Sequence, residues 1–243
     1  MAPTVLITRP EPAAQEFADA VRRRFGAGVA AVVAPVMRIE PYGELPDLAG
    51  FAALIFTSRN GVAAFAAQTT GRDLPCFTVG DATADAARAI GLDAISAGGA
   101  AGDLVRLIRE SGHEGPFLHL RGEHAAADIS GELRLAGLTA AEVVIYRQVE
   151  QPCGPQADAL LAKEGAVILP LFSQRSARVF FSRGPFNATA FVAAISDPVA
   201  EVIPAGAVSE CMVAERPDAE AVLDTTGRLL DRAKRLEGGK RAQ

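Results

Sequence analysis

The chain of 243 residues repeats itself, and that constrains its fold more than any single motif. Pro116-Phe117-Leu118-His119-Leu120-Arg121 follows the pattern of Pro3-Thr4-Val5-Leu6-Ile7-Thr8-Arg9, apolar against apolar with an arginine just past the run. Leu54-Ile55-Phe56-Thr57-Ser58-Arg59 returns as Leu169-Pro170-Leu171-Phe172-Ser173-Gln174, and Val79-Gly80-Asp81-Ala82-Thr83-Ala84 as Ile195-Ser196-Asp197-Pro198-Val199-Ala200. Taken from Arg9 to Arg121, Leu54 to Leu169 and Val79 to Ile195, the offsets are 112, 115 and 116. Three nearly equal offsets in chain order mark a tandem duplication.

Within each copy, short aliphatic runs alternate with amphipathic ones. Strands are predicted over 4–8, 29–33, 51–56, 76–79 and 93–97. Helices are predicted after Pro12, with Ala14, Phe17, Val21 and Phe25 on one face, and then from Val62, over Ala82–Ile90 and over Asp103–Glu110. Strands alternating with helices at this pitch give a doubly wound parallel α/β sheet.

Two runs break the rhythm: Val36-Met37-Arg38-Ile39-Glu40-Pro41-Tyr42 and the longer Ala141-Glu142-Val143-Val144-Ile145-Tyr146-Arg147-Gln148-Val149-Glu150. Both are extended, both end near a proline, and between them they hold the two tyrosines of the chain. They read as the outgoing and returning strands of a two-stranded β connector, and each falls inside a copy, after its first βαβ piece. The predicted architecture is therefore two α/β lobes that exchange segments. Residues 1–36 join 152–243 in the first, 43–141 form the second, and 37–42 and 142–151 connect them. Each lobe should hold four or five parallel strands with helices on both faces.

Bulk properties exclude some functions. A net charge of −5 argues against non-specific nucleic-acid binding, which needs a basic face. Three cysteines, Cys76, Cys153 and Cys211, without metal-ligand spacing suggest neither a disulfide framework nor a zinc site. No apolar run reaches the ~18 residues of a membrane span, and the N-terminus enters a strand with no signal peptide, so a cytoplasmic location is expected. There is neither a G-x-G-x-x-G fingerprint nor a P-loop, and no nucleotide cofactor is expected.

In open parallel sheets, ligands bind beyond the C-terminal strand ends. That rule selects Thr8-Arg9, Thr57-Ser58-Arg59-Asn60, Gly80-Asp81-Ala82-Thr83, Gly98-Gly99, Arg121-Gly122, Ser173-Gln174-Arg175-Ser176 and Ser196-Asp197. Small hydroxylic residues, glycines and arginines suit the capture of carboxylates or phosphates. Singly, Ser58, Ser173 and Thr83 read better as helix caps, and Arg9 and Arg121 read equally well as solvated strand ends. Recurrence at equivalent edges of both copies favours binding. His119, within an apolar strand, reads as a packed histidine. Tyr146, on a ribbon between two lobes, is the neutral side chain best suited to give up a proton in a cleft.

The opening Val5-Leu6-Ile7-Thr8-Arg9-Pro10, the strand end Ile55-Phe56-Thr57-Ser58, Val79-Gly80-Asp81-Ala82-Thr83-Ala84 followed by Gly91-Leu92, and Val143-Val144-Ile145-Tyr146 together resemble the uroporphyrinogen-III synthases. The resemblance spans nearly the whole chain. It implies two α/β lobes on a two-stranded ladder, no cofactor and no metal, and the linear tetrapyrrole hydroxymethylbilane as substrate. A hydroxyl would leave as water, and the last pyrrole ring would invert through a spiro intermediate before closure to uroporphyrinogen III. Tyr146 would be the proton donor, and Arg9, Thr57, Ser58, Asn60, Gly80, Thr83, Arg121, Ser173 and Ser196 would hold the acetate and propionate arms. A monomer in transient contact with the preceding enzyme of the pathway is expected, with no nucleic acid and no membrane as partner.

The second copy departs from the family pattern. Val199 stands where a threonine is usual, Pro204 should end the following helix early, and 237–243 should fray. The alternative reading is a two-lobed binding or sensor protein for a small anionic ligand.

Overall fold

The computed structural model describes residues 3–125 and 127–241, with only the backbone for the last five of these. In chain order the elements are β1 (Thr4–Ile7), α1 (Ala13–Phe25), β2 (Ala30–Val33), β3 (Met37–Pro41), β4 (Ala53–Phe56), α2 (Arg59–Gln68), β5 (Cys76–Thr78), α3 (Asp81–Ala89), β6 (Ala94–Ser96) and α4 (Ala101–Glu110). The chain continues with β7 (Phe117–Gly122), α5 (Ile129–Leu135), β8 (Ala140–Glu150), α6 (Pro155–Leu161), β9 (Ala166–Leu171), α7 (Gln174–Phe181), β10 (Thr189–Ala194), α8 (Asp197–Glu201), β11 (Glu210–Val213) and α9 (Ala219–Arg241). Two compact units result, Met1–Arg38 with Val149–Gln243, and Ile39–Gln148.

The first unit contains a five-stranded sheet in the order β11-β10-β9-β1-β2, all of its pairings parallel. The second sheet has the order β3-β8-β7-β4-β5-β6. Apart from β3 it is also parallel. Without β3 the two orders match strand for strand, with β7 and β8 in the places of β1 and β2, and β4, β5 and β6 in those of β9, β10 and β11. Registers match as well. Val5 lies opposite Ile168 as Phe117 lies opposite Ala53, and Pro170 opposite Ala193 as Ile55 opposite Phe77. With β3 set aside, each sheet thus takes two strands from one copy and three from the other.

The strands β3 and β8 carry the chain from one unit to the other. The Tyr42 N–H donates to the Ile145 carbonyl at 3.0 Å and the Gln151 N–H to the Val36 carbonyl at 2.9 Å. Position numbers fall on one strand as they rise on the other, so this pairing is antiparallel.

Alternation along each strand sends side chains to two helical layers. In the first unit Val5, Ile7, Ile168 and Phe191 pack with Phe17 and Val21 of α1 and Leu229 and Leu230 of α9. Leu6, Leu169 and Val192 face Leu161, Phe180 and Val199 on the other side. In the second unit Leu54, Phe56, Leu118 and Leu120 meet Val62, Phe65 and Ala84, while Ile55, Phe77 and Phe117 meet Leu104, Ile108, Ile129 and Leu133. At ~1.5–3 kcal/mol for each fully buried large apolar side chain, these four layers are the main stabilising contribution.

Local signals place the helix ends. Ser58 caps α2 by accepting from the Asn60 N–H at 3.1 Å, so α2 begins at Arg59, earlier than the predicted Val62. Asp218 caps α9 through the Ala221 N–H at 2.8 Å. The helix α8 is five residues long and stops before Pro204. The expected fraying from 237 is corrected: α9 continues to Arg241, since two glycines at ~1 kcal/mol each do not end a helix already seated on a sheet. Residues 242 and 243 lie outside the described residues.

Candidate functional site

Each sheet has one point where the strand order reverses direction, and there the loops leave a crevice at the C-terminal strand ends. In the second unit this point lies between β4 and β7, and in the first between β1 and β9. The predicted site residues divide between these two places and the neighbouring edges.

In the second unit, β4 runs out into Thr57 and Ser58, and β7 into Arg121 and Gly122. A register shift between Arg121 and Gly122 sets Gly122 opposite Tyr146. The bulge turns the Tyr146 ring onto the α2 face of the sheet, where it is 6% exposed. A Cβ on Gly122 would lie 2.6 Å from Tyr146 Cζ, and one on Gly61 would lie 3.8 Å from Cε1. Only a glycine at 122 therefore admits the ring. The Tyr146 hydroxyl is hydrogen-bonded to Ser58. Burial raises its pKa above the ordinary 10.0, with the Ser58 bond acting the other way. The phenol is thus protonated throughout the neutral range. The hydroxyl read from the sequence as facing a cleft is thus seated against Ser58.

On the other face of the same strands, the Thr57 hydroxyl lies 3.2 Å from Nε2 of His119, which is 1% exposed. Arg121 does not stand ready as an anion clamp. Its Nη2 pairs with Glu142 at 2.7 Å and its Nη1 donates to the carbonyls of Gly122 and Glu123 at 2.9 and 3.2 Å. The Glu142 hydrogen bond holds the guanidinium pKa up, and the same contact holds Glu142 down. Glu142 enters this position because β8 pairs with β7, which the sequence alone does not reveal.

At the next edge, Gly80 lies just beyond β5 and is the N-cap of α3 in extended backbone, and a Cβ there would meet the Gly99 Cα at 3.7 Å. Two glycine backbones thus approach closely, with the Gly99 N–H donating to the Val79 carbonyl at 2.7 Å. Thr83, in the first turn of α3, is 7% exposed, and the helix has no side-chain cap bond at its N-cap Gly80. Asn60 stands in the first turn of α2 with its backbone N–H held by Ser58.

In the first unit, Arg9 stacks over Phe172 at 3.9 Å across the β1/β9 point. Ser173 caps α7, accepting from the Ser176 N–H at 3.1 Å and donating to the Ser176 hydroxyl at 2.9 Å. Ser173→Ala should therefore lower stability by about 1 kcal/mol in denaturant titration. Ser196 precedes α8 without a side-chain cap bond, and Val199 is buried where the other copy has Thr83. Sequence reasoning missed the part of His119 and Glu142, and the glycine packing beneath Tyr146.

Among the described residues, no group of three or more His, Cys, Asp and Glu is placed to hold a metal ion, and no helix is long and apolar enough to cross a membrane.

A family model described as Uroporphyrinogen-III synthase HemD matches residues 16–224. Among solved structures, a uroporphyrinogen-III synthetase from Helicobacter pylori is similar with a TM-score of 0.66 and 18% identity, over 94% of this chain and 100% of that one. A mutant uroporphyrinogen III synthase from the extremely thermophilic bacterium Thermus thermophilus gives a TM-score of 0.52 and 14% identity, over 96% and 100%. Those identities make the structural likeness one of fold. No curated protein sequence matches the chain significantly.

Proposed function

The chain belongs to the uroporphyrinogen-III synthase family, and from that premise we propose that it cyclises hydroxymethylbilane without a cofactor, with Tyr146 as proton donor. The reaction removes the terminal hydroxyl as water and inverts the last pyrrole ring, giving uroporphyrinogen III. The working lobes of this reading are 1–36 with 152–243, and 43–141, joined by 37–42 and 142–151. We place the protein in the cytoplasm as a monomer that takes its unstable substrate from the preceding enzyme.

The chemistry needs little from the protein beyond a proton and a grip. Electron release from the pyrrole nitrogen expels the hydroxyl once a proton reaches it. The resulting chain closes unaided, but at the wrong carbon. Binding must hold it bent so that the substituted carbon is attacked, a positioning task. The observation that carries the reading is the seat of Tyr146: a neutral phenol at a strand-order reversal, bonded to Ser58 and bedded on Gly122.

Around it, the backbone amides at Thr57–Arg59 and Gly80–Ala82, with the side chains of Ser58, Asn60 and Thr83, would hold carboxylate arms, and Arg9, Ser173 and Ser196 others. Arg121 serves by bracing its loop against Glu142. The deciding experiment incubates the protein with freshly generated hydroxymethylbilane and separates the isomers after oxidation. Isomer III is expected; isomer I alone at high protein concentration would remove the reading. Thr83→Ala should weaken product binding roughly tenfold, as loss of a hydrogen bond to a charged group does, and a calorimetric titration matching the parent protein would deny it that role.

A further inference from the structure

His119 lies in β7 with its ring 1% exposed. Nε2 meets the Thr57 hydroxyl at 3.2 Å, while Nδ1 is buried with no hydrogen-bond partner among the described residues. A neutral imidazole carries one proton, on one nitrogen or the other. On Nδ1 that proton would be a buried donor with no acceptor, whereas on Nε2 it leaves only an unused lone pair, the less costly of the two. The geometry therefore favours Nε2–H donating to Thr57 Oγ1. A hydroxyl that already accepts from the histidine has its single hydrogen free to point elsewhere, and a carboxylate can only accept. In the opposite tautomer Thr57 would donate into the ring and turn lone pairs toward an anion.

The duplication supplies an internal control. By the shared register, Ile7 occupies the place of His119 in the other sheet, and Phe172 the place of Thr57. The fold is thus built equally well with an apolar pair. A buried polar pair costs desolvation that the apolar pair avoids, so its presence in one unit only calls for a reason other than packing. Burial pushes the His119 pKa down to about 4, and the charged groups that face it, Glu142, Arg121 and Asp128, do not reverse this.

We propose that His119 is a positioning residue, which fixes the Thr57 hydroxyl as a hydrogen-bond donor toward a carboxylate arm of the tetrapyrrole. This rests on the reading of the loops at the β4/β7 point as the holder of those arms. The tautomer can be read on the free protein by nitrogen NMR after labelling with 15N-histidine, the His119 signals being identified by their loss in His119→Gln. A pyrrole-type Nε2 and a pyridine-type Nδ1, constant from pH 6 to 8, are expected; a protonated Nδ1 would overturn the proposal.

In the cyclisation assay, His119→Gln keeps an N–H near the Nε2 position and should retain the parent KM. His119→Leu and Thr57→Val should each raise KM roughly tenfold with kcat nearly unchanged, and the double variant should do no worse than either. A Gln variant as impaired as the Leu variant, or a parent-like KM in Thr57→Val, would overturn it. Thr57 is only partly buried, so its variant carries the test if His119→Leu does not fold. Absence of any isomer III from the parent protein would overturn the functional reading itself, and the tautomer measurement separates that failure from an error about His119.

Discussion

Tyr146→Phe is expected to lower turnover about a hundredfold while leaving product affinity close to that of the parent protein, as loss of a general acid does. The ring stays, because its bed on Gly122 and Gly61 is shaped for an aromatic and the substitution removes one oxygen. The lost bond to Ser58 should cost about 1 kcal/mol of stability, too little to unfold the second unit. The pH dependence follows from the raised pKa. A phenol whose folded pKa lies above its unfolded value favours the folded state fully below that unfolded value, near 10.0, and loses this contribution as pH rises through the folded pKa. Any alkaline loss of turnover at lower pH must then come from another group. Single-turnover kinetics with the Phe variant decide the matter, and unchanged turnover in the folded variant would remove Tyr146 as donor.

Gly122→Ala is expected to be nearly as damaging by a different route. The added methyl would stand 2.6 Å from Cζ and 2.9 Å from the hydroxyl oxygen of Tyr146, both far inside contact distance. Neighbours on the strand fix the backbone of Gly122, so the ring must move and the hydroxyl must leave Ser58. Overpacking of this kind costs about 1–3 kcal/mol. Turnover should fall toward that of Tyr146→Phe, with a lower unfolding midpoint. On the Tyr146→Phe background the same methyl should lower stability again but turnover little further, because the proton donor is already gone. A parent-like midpoint together with parent-like turnover would mean that the ring yields freely and that its seat carries no function.

Why some of this was legible in the sequence and some was not comes down to the range of the interactions. The strands were legible because runs such as Val5-Leu6-Ile7 and Leu54-Ile55-Phe56 are buried on both faces and must be continuously apolar. The exchange of segments followed from where the two tyrosine-bearing runs interrupt the copies. Helix starts were displaced by a residue or more because caps act locally, as at Ser58, and precede the apolar positions that the periodicity detects. The site was readable only as far as strand ends go. Tyr146 stood out by position, yet its face is set by a bulge that leaves no mark in Val143-Val144-Ile145-Tyr146. Arg121 looked free because Glu142 reaches it across strands, and His119 looked merely packed because Thr57 comes from a strand 62 positions away.

The interleaving of the two copies also fixes an order of events at the ribosome. The sheet that begins with β1 and β2 cannot close until β9, β10 and β11 have been made, whereas every strand that closes the other is complete once β8 has emerged. The N-terminal segment must therefore wait, partly unsheltered, through most of translation, while the middle of the chain is already able to fold. Nascent chains halted once Glu150 has cleared the exit tunnel should yield a protease-resistant core from the interior of the sequence and a first segment still open to cleavage.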